Sequence, residues 1–184
     1  MKKRNLTTWF GTCALLAGCL VIPSGAWAKA NAPDSEQVSK LLSEAKTMAF
    51  QLKEDAGMME SFTRMNVSWQ NHATAINQVR DHINALGQQV TKLRAARENA
   101  APWQKTAIDR INPFLDELGG YTAAVIEHIN GDKKHTIAAY NDYLQANADY
   151  AADLASMIAD FVDYGNSRQR ADRLGEKLEV PPVK

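Results

Sequence analysis

Between residues 69 and 93 the apolar side chains recur every three and four positions, and that spacing constrains the fold more than any other feature. Trp69, Ile76, Ile83 and Val90 stand seven apart, and His72, Val79, Leu86 and Leu93 come three residues after each. Seven of these eight residues are apolar, so they form one stripe of a long helix that other helices must cover along nearly its whole length. His72 is the polar member of the stripe. A seam of this kind commits the chain to a helical bundle, and no strand alternation competes with it.

The other helices are read from their own spacing and punctuation. Asp34 with Gln37 fits a capping box, and Val38, Leu42, Ala45, Ala49, Leu52, Ala56 and Met59 give a first helix over 34–61 that carries Gly57 without ending. Asn66 reads as the cap of the second helix, which reaches residue 99. Pro102 opens a third helix, because a first-turn proline loses no helical hydrogen bond, and Asn130-Gly131 closes it. Its expected stripe is Ile111, Phe114, Leu118, Tyr121, Val125 and His128. Pro113 should bend this helix, and Gly119-Gly120 should weaken it or admit a neighbouring backbone.

A fourth helix is expected to start between Asp132 and Thr136 and run to Lys177. Ile137, Leu144, Ala151 and Ile158 hold one of its core positions, and Tyr140, Leu154 and Phe161 the other. Asp142, Asp149, Asp153, Asp160 and Asp163 make an acidic outer face. Tyr143, Tyr150 and Tyr164 flank the seam, either covering its edge or offering a docking surface for another helix or subunit. Four amphipathic helices with short connections predict an all-α, antiparallel up-down-up-down four-helix bundle over 34–178, preceded by a leader at 29–33 and succeeded by a disordered tail at 179–184.

The first 28 residues are of another kind. Lys2, Lys3 and Arg4 precede an apolar run at 6–22, then Pro23, Gly25 and Ala26-Trp27-Ala28, the pattern of a secretory signal peptide cut after Ala28. Leu16-Ala17-Gly18-Cys19 encodes a competing cut that would leave the chain lipid-anchored through Cys19. Against that cut, Leu20, Val21 and Ile22 are apolar at positions where lipoproteins usually turn polar. The run is short for a span of about 20 residues, so no membrane span is expected after cleavage.

Cleavage after Ala28 leaves 156 residues, enough for one core. Both cysteines, Cys13 and Cys19, depart with the signal, which excludes thiol catalysis, disulfides and covalent haem from the mature chain. Loss of three basic residues and no acid takes the formal charge from 0 to −3, which argues against nucleic acid as a partner. The expected location is exported, periplasmic or secreted.

The phrases Ser68-Trp69-Gln70-Asn71-His72 and Ala148-Asp149-Tyr150-Ala151-Ala152-Asp153-Leu154 resemble a family of exported, helical bacterial proteins with no assigned activity. The resemblance implies export and helicity over most of the mature chain. It implies no site residues.

Two clusters carry chemistry. A hairpin centred near residue 100 sets His72 opposite His128, and one centred near 63–64 brings Asp55 to the same level, with Met58, Met59 and Met65 beside it and His135 near. Imidazole, carboxylate and thioether are the groups that bind transition metals or ligate haem iron. A haem b or copper site using His72, His128, Met59, Met65 and Asp55 is therefore one reading. The other is structural: a seam histidine bonds to a neighbour, methionines fill gaps near a loop, and His72→Leu is tolerated. The Glu-x-x-His pairs of di-iron bundles are absent, and no serine, histidine and carboxylate share a layer, so no enzyme is expected.

The second cluster is a basic pole of Arg94, Arg97, Lys105, Arg110, Arg168, Arg170 and Arg173, which either forms a network with nearby acids or meets an anionic envelope surface or acidic partner. The functional expectation is a non-enzymatic bundle that binds or scaffolds a protein or other component of the cell envelope, with self-association as a further option.

Overall fold

The computed structural model describes residues 33–131 and 138–179. The expected signal segment with Cys19, residues 29–32 of the expected leader, the expected start of the fourth helix with Ile137, His135 and the tail from 180 lie outside the described residues.

The described residues form four helices, α1 (Glu36–Ser61), α2 (Trp69–Ala96), α3 (Pro102–Gly131) and α4 (Ala138–Leu178), with 3₁₀ turns at Phe62–Arg64 and Arg97–Asn99. Each helix packs on its neighbours in sequence and α1 closes on α4, so α1 and α3 lie across one diagonal and α2 and α4 across the other. The described residues contain no strand. This is the all-α four-helix bundle that the heptad spacing predicts. No helix among the described residues is long and apolar enough to cross a membrane.

The stripes of α1 and α2 are buried much as their spacing requires. In α1 the buried set is Val38, Leu42, Ala45, Ala49, Leu52, Ala56 and Met59. In α2, Ile76, Val79, Leu86, Val90 and Leu93 are buried together with His72, while Ile83 is half-buried. Trp69 departs from the expected seam: as the first helical residue it stands at the rim of the bundle and is 36% exposed.

Caps shift by a residue or two because tertiary partners compete for the expected ones. Ser35, not Asp34, caps α1 by accepting from the Val38 amide, since the Asp34 carboxylate accepts from Trp103 Nε1 at 2.7 Å. Ser68, not Asn66, caps α2 by accepting from the Asn71 amide, after the 3₁₀ turn and an extended Met65.

The larger correction lies in α3. Ile111, Leu118 and Val125 are buried as expected, but their partners in the core are Leu115, Thr122 and Ile129. Phe114, Tyr121 and His128 are only half-buried. The stripe advances by four residues after each heptad position instead of three, which rotates these rings toward the edge of the helix. The helix continues through Pro113, whose ring is exposed. Gly119 and Gly120 admit no close backbone: a Cβ at either would have nothing within 4 Å.

In α4, Tyr140, Leu144, Ala151, Leu154 and Ile158 fill the core, and Asn147 occupies the heptad position between Tyr140 and Leu154. Its Oδ1 accepts from Thr122 Oγ1 at 2.7 Å and its Nδ2 donates to the Tyr143 carbonyl at 3.0 Å, so the buried amide is satisfied. The five aspartates at 142, 149, 153, 160 and 163 are all exposed. Leu86 has no exposed surface and lies in the seam, so Leu86→Ala should cost about 2 to 5 kcal/mol. Asp149→Ala, on the acidic face, should stay within about 0.5 kcal/mol. Denaturant titration of both variants checks this, and an equal loss from the two would contradict the assignment of faces.

Candidate functional site

At the end of the bundle where α1 meets α2, His72 is 1% exposed and its Nδ1 is hydrogen-bonded to Tyr140 Oη at 2.9 Å, with donor and acceptor set by the imidazole tautomer. Tyr140 is buried, and that burial pushes its phenol well above the usual range, so the hydroxyl keeps its proton. The half-buried His128 stacks on the Tyr140 ring, with centroids 5.2 Å apart, and Phe62 meets His72 edge-on at 5.3 Å. His72 and His128 thus converge on one tyrosine from α2 and α3.

The remaining expected ligands do not join them as a set. Asp55 lies nearly three turns along α2 from His72, with its Oδ2 2.5 Å from His82 Nδ1 and its Oδ1 accepting from Gln78 Nε2 at 3.4 Å. The cause is the α1–α2 connection: the 3₁₀ turn and the extended residues after it move the hairpin centre toward the C-terminus, so Asp55 faces residues beyond His72. Met59 is buried in α1, whereas Met65 is 52% exposed in the connection. Among the described residues no three His, Cys, Asp or Glu side chains gather as a metal-holding group. Spacing alone does not single out His82, because its pairing depends on that connection.

A different constellation lines the outside of the α3–α4 pair. At the end where α3 begins, Trp103 and Tyr164 meet edge-on at 5.4 Å. The indole lies against the α4 backbone at Gly165, where a Cβ would stand 2.7 Å from Trp103 Cη2, so glycine is needed for that approach. Arg168 covers the Tyr164 ring at 5.9 Å and reaches Asp34 at 3.7 Å. Farther along, Arg110 lies over Phe161 at 5.9 Å, Phe114 meets Tyr150 at 6.1 Å, and Tyr150 meets Tyr121 at 5.4 Å.

These aromatics border an open groove of about 580 Å³ lined by Trp103, Phe114, Phe161 and Tyr164, with Asp153 and Asp160 on its α4 side. The volume falls in the range of ligand-binding clefts. Arg110 lines the α3 side. Just beyond the groove the Tyr150 phenol is raised by Tyr121 first, then by Glu117, with burial and Asp153 adding to it. Heptad spacing places Tyr150 and Tyr164 on this edge, where they are found. It places Phe114 and Phe161 in the core, and only the phase of α3 could have moved Phe114 outward.

At the basic pole, ion pairs engage Arg97 and Arg168. Arg97 donates to both Asp109 carboxylate oxygens, at 2.8 and 2.7 Å, and holds that carboxyl below its usual range. Arg168 reaches Asp34 at the same end, so the network expected there is present at these two arginines.

Comparison with protein families, curated proteins and solved structures finds no match for this chain.

The contact with Tyr140 changes the expectation for His72→Leu. Leucine would leave a buried phenol hydroxyl without that partner, at a cost of about 1 to 3 kcal/mol. In a Tyr140→Phe background the same change should cost about 1 kcal/mol less, a coupling that a double-mutant cycle in urea measures. Strict additivity would show that the Nδ1–Oη contact contributes nothing.

Proposed function

We propose that this chain is a non-enzymatic, exported helical bundle that acts by binding or scaffolding in the cell envelope, and that it meets its partner through the outer face of α3 and α4. One observation carries the reading: a file of aromatic rings stands at the edge of a core already filled beneath it. Leu115, Leu118, Leu154 and Ile158 occupy the seam between these helices, while Phe114, Tyr121, Tyr150 and Phe161 are half-buried and Tyr164 is 49% exposed. Large aromatics on a surface groove supply contact area at low conformational cost, and tyrosine and tryptophan are enriched in interfaces for that reason. Export rests on the basic, apolar and small-residue order of the first 28 residues.

The test is a photo-crosslinking amino acid placed at Ser156, an exposed residue on the groove, and separately at Gln88 on the outer face of α2. In cells that export the chain, irradiation should give a discrete adduct from position 156 and none from position 88. Equal adducts from both positions, or none from position 156, would contradict the proposed face.

A further inference from the structure

We infer that the α3–α4 groove takes a positively charged amphipathic helix of a partner protein, an inference that rests on the binding reading above and specifies what is bound. The groove runs between two adjacent, antiparallel helices, the surface into which a third helix packs its ridge of side chains. Its lining extends on α3 from Trp103 to Phe114, about 17 Å at 1.5 Å per residue or three turns of a docked helix, and the aromatic file continues beyond it to Tyr121.

Charge decides the sign of the partner. Asp153 and Asp160 stand two turns apart on the α4 wall, both exposed, and no ion pair engages either among the described residues. Glu117 lies near Tyr150 on the α3 side. The cations present already have ring faces under them, Arg110 over Phe161 and Arg168 over Tyr164, and Arg168 also reaches Asp34. Those contacts show the rings presenting their negative faces to guanidinium groups.

A lysine- or arginine-flanked helix would set cations against Asp153 and Asp160, and its apolar ridge against Phe114 and Phe161. An acidic helix would bring like charges to the same carboxylates. So would a second copy docked face to face, since its own Asp153 and Asp160 would oppose these. An anionic lipid surface meets the same repulsion.

The probes are two designed peptides of about 21 residues, long enough to span the file. Both carry leucine at the two core positions of each heptad; one has lysine at the flanking positions and the other glutamate. Calorimetry with the exported protein should show the lysine peptide binding, more weakly as salt is raised, and the glutamate peptide not binding. Asp153→Asn with Asp160→Asn should weaken the lysine peptide by about tenfold. Asp142→Asn with Asp149→Asn, the same charge change outside the groove, should leave it within about twofold.

Phe161→Ser should abolish binding, and Tyr164→Ser, at a more exposed ring that a folded chain should tolerate, should weaken it. Circular dichroism verifies that each variant is folded. Failure of the lysine peptide to bind, equal binding of the glutamate peptide, or equal effects of the two aspartate pairs would overturn the inference. A crosslinked adduct at position 156 that persisted after such a failure would leave the binding face standing without a basic partner. If that adduct proved to be a second copy of this chain, the basic helix would likewise be excluded.

Discussion

Helices of this length hold together only if each keeps one stripe out of water from end to end, and that requirement organises the rest of the structure. A helix of 28 residues such as α2 gains little from its own backbone in water, so its stability comes from the face it buries. The buried leucines, isoleucines and alanines supply the driving force but do not by themselves fix which residues face each other across the seam. Polar residues set the register. Gln104 has no exposed surface and uses its whole amide: Oε1 accepts from the Ser35 and Ala101 amides, and Nε2 donates to the Ser35 carbonyl and Ser39 Oγ. It ties the start of α1 to the start of α3 across the diagonal.

Three further polar insertions do similar work at other levels. Gln89 donates to the Leu41 carbonyl and the Glu44 carboxylate, Thr122 donates to Asn147, and His72 meets Tyr140. Sliding one helix past another by a turn would strand these groups in an apolar interior, and each stranded group would cost about 1 to 3 kcal/mol. A core fixed in this way also fixes what is left outside it. Once Leu115 and Thr122 hold the inner face of α3, Phe114 and Tyr121 must stand at its edge, beside the rings of α4.

The heptad spacing of α2, Pro102 at the start of α3 and Gly131 at its end were legible in the sequence because each acts through local chemistry that the fold does not override. The phase of α3 was not. After Ile111, Leu118 and Val125, both Phe114 with Tyr121 and Leu115 with Thr122 complete an acceptable helical stripe, and hydrophobicity alone favours the aromatics. The choice is made by Asn147, a residue 25 positions from Thr122, whose buried amide needs that hydroxyl. The caps shifted for the same kind of reason, since Asp34 is drawn away by Trp103 of another helix. Asp55 was misplaced because the register of a hairpin depends on the path of its connection, and the extended residues after the 3₁₀ turn are not encoded by periodicity. The convergence of His72 and His128 was legible because the α2–α3 connection is short and closed by Pro102; that both would meet on Tyr140 was not.

The central claim is that the seam holds the fold while the aromatic edge is free to bind. Urea denaturation of Leu154→Ala and Tyr164→Ser, measured side by side, tests it most directly: Leu154 has no exposed surface, and Tyr164 stands one helix face away at 49% exposed. The account predicts a loss of about 2 to 5 kcal/mol for Leu154→Ala and a change within about 0.5 kcal/mol for Tyr164→Ser. A Tyr164→Ser loss as large as that of Leu154→Ala would show that the aromatic edge is part of the structural core, and would contradict the claim.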